Sequence, residues 1–98
     1  MNHQPKPVLV TTANRGVFSG LTTADYDGGD TITLTELRMC VYWPQETKGI
    51  VGLSQGGPPK KGSRVTPAAE RGLLRGVTAV LDLTPTAWKA WQAEPWNN

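Results

Sequence analysis

Apolar and polar residues alternate in short runs along this chain, between glycine- and proline-bearing breaks, and that pattern predicts a small sheet rather than a helical bundle. Val8-Leu9-Val10-Thr11-Thr12 is β-branched and strand-like. Asn14-Arg15-Gly16 follows, and Asn and Gly tolerate positive φ, so a tight hairpin turn is predicted there. Gly16-Val17-Phe18-Ser19-Gly20-Leu21 is the returning strand. Thr31-Ile32-Thr33-Leu34 has the two-residue period of a half-buried strand, and Leu37 to Trp43 continues it until Pro44. Alternation puts Leu37, Met39, Val41 and Trp43 on one face and Arg38, Cys40 and Tyr42 on the other.

The second half is more broken. Gly49-Ile50-Val51-Gly52-Leu53-Ser54 reads as a short glycine-spaced strand, and residues 56–62 read as a loop. Ser63-Arg64-Val65 predicts a brief strand. Thr66-Pro67-Ala68-Ala69-Glu70 carries the cap-plus-proline signature of one helical turn. Leu73 to Leu83 is the last and longest strand, with Gly76 marking a bulge or a close backbone approach. Thr84-Pro85 repeats the helix-start signature, and Thr86 to Ala93 forms a short helix with Trp88 and Trp91 on one face. The sum is a mainly β fold: a small barrel or strongly bent antiparallel sheet of about five or six short strands, with the C-terminal helix capping an open end. Residues 1–7 form an extended arm, and residues 8–98 a single domain.

Length fits that picture, since 98 residues give one domain with a thin core. Charge narrows the partners: a net charge of +2 is too weak by itself to imply nucleic acid or a membrane surface. No apolar stretch approaches the roughly 18 residues of a membrane helix. The start of the chain lacks a hydrophobic signal core, so a cytosolic protein is expected.

Catalytic chemistry finds little support. The single histidine, His3, lies in the arm, and the single cysteine, Cys40, lies in a strand as an expected buried, inert thiol. The aspartates Asp25, Asp27 and Asp30 sit near glycines, but the EF-hand glutamate and helices are missing, so a turn is the expected reading. Metal-ligand spacings and phosphate loops are absent, and neither an enzyme nor a cofactor is expected. Binding is the better class. Tyr42 and Trp43 beside Arg38 form an aromatic–cation grouping that suits stacking and phosphate contact. Arg15 and Arg64 are further anion holders, and Lys60 and Lys61 would steer an anionic partner. Trp88, Trp91 and Trp96 crowd the C-terminus and are candidates for a homo-oligomer interface.

The runs Val10-Thr11-Thr12-Ala13-Asn14-Arg15-Gly16-Val17-Phe18-Ser19-Gly20, Arg38-Met39-Cys40-Val41-Tyr42-Trp43 and Gly49-Ile50-Val51-Gly52-Leu53 resemble those of a family of small uncharacterised bacteriophage and prophage proteins, a domain of unknown function. Gly57-Pro58, Arg64-Val65 and the Trp91-to-Trp96 segment add weaker likeness, so the resemblance spans about residues 8–96. Pro59-Lys60-Lys61 departs from it as a longer, more basic loop. The resemblance implies a phage-encoded protein in the cytoplasm of an infected bacterium, and it supplies no catalytic residue, cofactor or partner. The expected function is a non-enzymatic binding module for a host protein or a small phosphorylated ligand. The alternatives are a minor head or tail component of the virion, and a small barrel that binds single-stranded nucleic acid.

Overall fold

Three consecutive apolar residues, Val8, Leu9 and Val10, suit a strand covered on both faces. In the computed structural model, which describes residues 5–13, 16–22 and 28–96, they occupy strand β1 (Lys6–Thr12) and are fully buried. Leu9 joins one apolar cluster, while Val8 and Val10 join a second on the opposite face. Strand β2 (Val17–Thr22) returns antiparallel, and the Thr12 amide donates to the Gly16 carbonyl at 3.0 Å, closing the hairpin. Asn14 and Arg15 lie outside the described residues.

Strand β3 (Thr31–Tyr42) is the spine of the sheet. One side of its first half pairs with β5 (Ala69–Arg75), its middle pairs with β2, and its end pairs with β4 (Arg64–Val65). Strand β6 (Val77–Asp82) takes the free side of β1. Among the described residues, six antiparallel strands thus form one sheet in the order β4-β3-β2-β1-β6, with β5 beside β3, and the sheet is not closed.

The single strand expected over Leu73–Leu83 is therefore two, split at Gly76. Gly76 has φ +72°, a conformation that costs glycine little because it has no Cβ. This one-residue step carries the chain from β5 at one edge of the sheet to β6 at the other. The sheet must curl until those edges approach. Asp30 and Ala13 hold the step: the Gly76 amide donates to Asp30 Oδ2 at 3.3 Å, and the Ala13 amide donates to the Gly76 carbonyl at 2.8 Å. Inside the curl, Val8, Val10, Ile32 and Leu34 pack with Phe18, Leu37, Leu74, Val77 and Val80 from both edges.

The other face is covered by two helices. Helix α1 (Gly49–Gln55) replaces the strand expected there. Its short apolar run fits either period, and tertiary packing selects the helical one: Ile50 and Leu53, three apart, reach the core while Val51 stays exposed. Helix α2 (Pro85–Gln92) starts as its signature predicts, with Thr84 Oγ1 accepting from the Ala87 amide at 3.0 Å. It lies against the face of the sheet rather than over an open end, since Ala87 and Trp91 share a cluster with Leu9 of the central strand β1.

The same signature at Thr66-Pro67 does not make the expected helical turn; Ala69 and Glu70 already belong to β5. The Thr66 hydroxyl is engaged elsewhere, accepting from the Met39 amide at 3.0 Å, while the Thr66 amide donates to the Met39 carbonyl at 3.0 Å. Thr66 therefore extends the pairing with β3.

Candidate binding surface

The chemistry of β3 is set by a bulge. Leu21 pairs with Thr35 and Ser19 with Arg38, so β3 spends one more residue than β2 over this interval. Glu36, at φ +51°, takes up the strain. Beyond it the facing changes: Ile32 and Leu34 enter the curl, whereas Cys40 joins the cluster beneath the helices. Arg38 turns the same way and is only 7% exposed.

Arg38 is thus an internal charge, which corrects the expectation of an exposed ligand contact. Its Nε donates to Glu94 Oε2 at 3.0 Å, and its guanidinium carbon lies 5.9 Å from the centre of the Trp88 ring. The same Glu94 oxygen accepts from the Ala68 amide at 3.1 Å. One carboxylate therefore ties β3, the end of α2 and the segment before β5 together. Nothing in the local sequence around Glu94 signals this role, because both partners come from remote segments.

Tyr42, Arg64 and Trp96 form the row that remains at the surface. Tyr42 is the cross-strand partner of Arg64, and Arg64 makes an antiparallel bridge with Trp96. Such neighbours stand about 5 Å apart. Tyr42 is 56% exposed and Trp96 54% exposed. The Val65 amide donates to the Pro95 carbonyl at 2.7 Å, so the chain after α2 runs along β4 and delivers Trp96 to this edge. Beside the row is a groove of about 320 Å³, lined by Val65, Thr66, Pro67, Glu94 and Trp96.

The other expected residues distribute around this surface. Trp43 is half-buried against the helical-layer cluster, so Tyr42 and Trp43 face different surroundings. Trp88 is half-buried beneath Arg38. Trp91 is fully buried and donates from Nε1 to the Leu53 carbonyl at 3.2 Å, which leaves it no surface for an oligomer interface. Lys60 and Lys61 are exposed in the turn before β4. Arg15, His3, Asp25 and Asp27 lie outside the described residues. Among the described residues, no group of three or more His, Cys, Asp or Glu side chains could hold a metal ion, and no helix is long and apolar enough to cross a membrane.

Cys40 is buried, and burial pushes its thiol up to about 11. The folded thiol stays protonated after the unfolded one, near 8.5, has ionised. Stability on this account is therefore level below about pH 8 and falls as the pH rises toward 11. Iodoacetamide at pH 8 is expected to label the native protein at least ~100-fold more slowly than the denatured chain, because the thiolate is the nucleophile. Equal rates would show that Cys40 is accessible.

These features define a mainly β domain with an open, curled sheet, helices over one face and an aromatic–arginine row at an edge. The chain belongs to a family described as a domain of unknown function, DUF6948, whose model matches residues 5–91. That span includes Tyr42 and Arg64 and stops short of Glu94 and Trp96. No curated protein and no solved structure matches the chain.

Proposed function

We propose that this protein is a phage-encoded, non-enzymatic binding module that acts in the cytoplasm of an infected bacterium and contacts a host protein through its Tyr42–Arg64–Trp96 edge. The phage setting is supported by the resemblance of its Thr11-to-Phe18 and Val41-Tyr42-Trp43 runs to phage and prophage proteins. The single observation that carries the binding role is the row itself: two large aromatic side chains held more than half exposed, on either side of an arginine. Aromatic and arginine side chains of this kind dominate interface energetics. The row borders a groove lined mainly by Val65, Pro67 and Trp96. A protein partner suits it better than a small phosphorylated ligand, because Arg38 is already neutralised by Glu94.

The test compares the wild-type protein with a Tyr42→Ser/Trp96→Ser variant and with Leu73→Ser as a control. Leu73 is equally exposed, at 56%, but lies on β5. Each protein is immobilised and challenged with lysate of a bacterial host. The double variant should lose a stoichiometric partner that the control retains, with melting temperatures of all three within a few degrees, since surface changes cost about 0.5 kcal/mol or less. Retention of the partner by the double variant contradicts the proposal.

A further inference from the structure

We infer that Ser19 and Arg38 together bind one ordered water molecule beneath the helices, and that this water ties the buried guanidinium to strand β2. The site does not depend on the partner surface proposed above. Ser19 of β2 and Arg38 of β3 are direct cross-strand partners, so their side chains leave the same face of the sheet. That face is the one under α1 and α2, since Leu9, the neighbour of Ser19 on β1, joins the cluster beneath them. Ser19 is fully buried and Arg38 nearly so. Each presents a buried polar atom with no hydrogen-bond partner among the described residues: Ser19 Oγ and Arg38 Nη1. Two such atoms on directly opposed residues call for a shared partner, because buried polar groups are almost always hydrogen-bonded, to protein or to internal water.

The two side chains do not serve each other directly. Arg38 reaches up to α2 and the turn that follows it, with Nε on Glu94 at 3.0 Å and its guanidinium carbon 5.9 Å from the centre of the Trp88 ring. The serine hydroxyl sits one bond beyond its Cβ and stays close to the strand. A water accepts from Nη1 and exchanges a second hydrogen bond with Oγ, so it satisfies both atoms at once. A small anion fits these atoms less well. The Glu94 carboxylate already balances the guanidinium, and a second buried negative charge would have no counter-ion. Water brings the dipole without the charge.

The experiment pairs a high-resolution crystal structure of the full chain, with a second crystal soaked in bromide, with urea unfolding of Ser19→Ala. The expected density is one water within hydrogen-bond distance of both Ser19 Oγ and Arg38 Nη1, with no anomalous bromide signal there. A bromide peak at that position identifies a small anion and overturns the water assignment. A direct Oγ–Nη1 bond, or no density bridging the two atoms, overturns it as well. The unfolding measurement reads the same site through the sign of its effect. If Ser19 holds the water for Arg38, Ser19→Ala leaves Nη1 poorly satisfied, and the folding equilibrium constant falls about tenfold. If the hydroxyl is a bare buried orphan, its removal relieves a desolvation cost and the constant rises, which overturns the inference.

Discussion

Replacing Trp91 with alanine is expected to bring the chain close to its unfolding threshold at room temperature. Trp91 has no exposed surface and fills the space between the helices and the sheet, in contact with the cluster of Leu9, Cys40, Leu53, Val65 and Ala87. Truncating a fully buried tryptophan removes the transfer energy of the ring and leaves a cavity, together about 3–5 kcal/mol. The change also leaves the Leu53 carbonyl without the indole donor that joins α2 to α1. A domain this small sits near the lower end of the usual ~5–15 kcal/mol stability range. Urea unfolding should show a midpoint reduced by more than half. Trp91→Phe, which keeps most of the volume and loses the hydrogen bond, should show a smaller drop. A midpoint unchanged by Trp91→Ala would mean that α2 does not pack as described.

The second large effect belongs to Gly57→Ala. Gly57 has φ +83°, and a Cβ built on it would stand 2.5 Å from the Ala90 Cβ and 2.9 Å from the Ala87 carbonyl oxygen. The glycine is where the loop after α1 passes directly against α2. A side chain there meets two penalties: about 1–2 kcal/mol for the left-handed backbone and about 1–3 kcal/mol for overpacking against a helix. The matched control is Gly28, which shares φ +83° but, among the described residues, has nothing within 4 Å of its Cβ position. Gly28→Ala carries the backbone penalty alone. The difference in unfolding free energy between the two variants therefore isolates the packing term. Equal losses would remove the close approach from the account.

Both effects depend on tertiary contacts, and the same distinction explains what could be read from the sequence. Val8-Leu9-Val10 announced a strand, and the fully apolar run fits its burial on both faces. The two Thr-Pro signatures were locally alike, yet Thr84 caps α2 and Thr66 bonds to Met39 across the sheet. Nothing within five residues of either distinguishes them; the outcome is set by what stands opposite. Gly49 to Ser54 shows the same limit, since a six-residue apolar run carries too few periods to separate strand from helix.

The candidate site divides in the same way. Tyr42 and Arg64 were legible as surface candidates from their strand positions, and Trp96 from its place beyond a proline. Arg38 was not, because a charged side chain reads as surface, and the helical layer that covers it and the carboxylate that pairs with it come from remote segments. Its partner Glu94 lies 56 residues away, a separation that leaves no local trace.

The central claim is that the Tyr42–Arg64–Trp96 edge is the face this protein presents to its partner. The most direct measurement is site-specific photo-crosslinking in bacterial cells, with benzoylphenylalanine placed at Trp96 in one variant and at Leu73, comparably exposed on β5, in another. A single discrete adduct from position 96, absent from position 73, is the predicted result. An adduct that forms from position 73 and not from position 96 would contradict the account and move the contact face to the β5 edge.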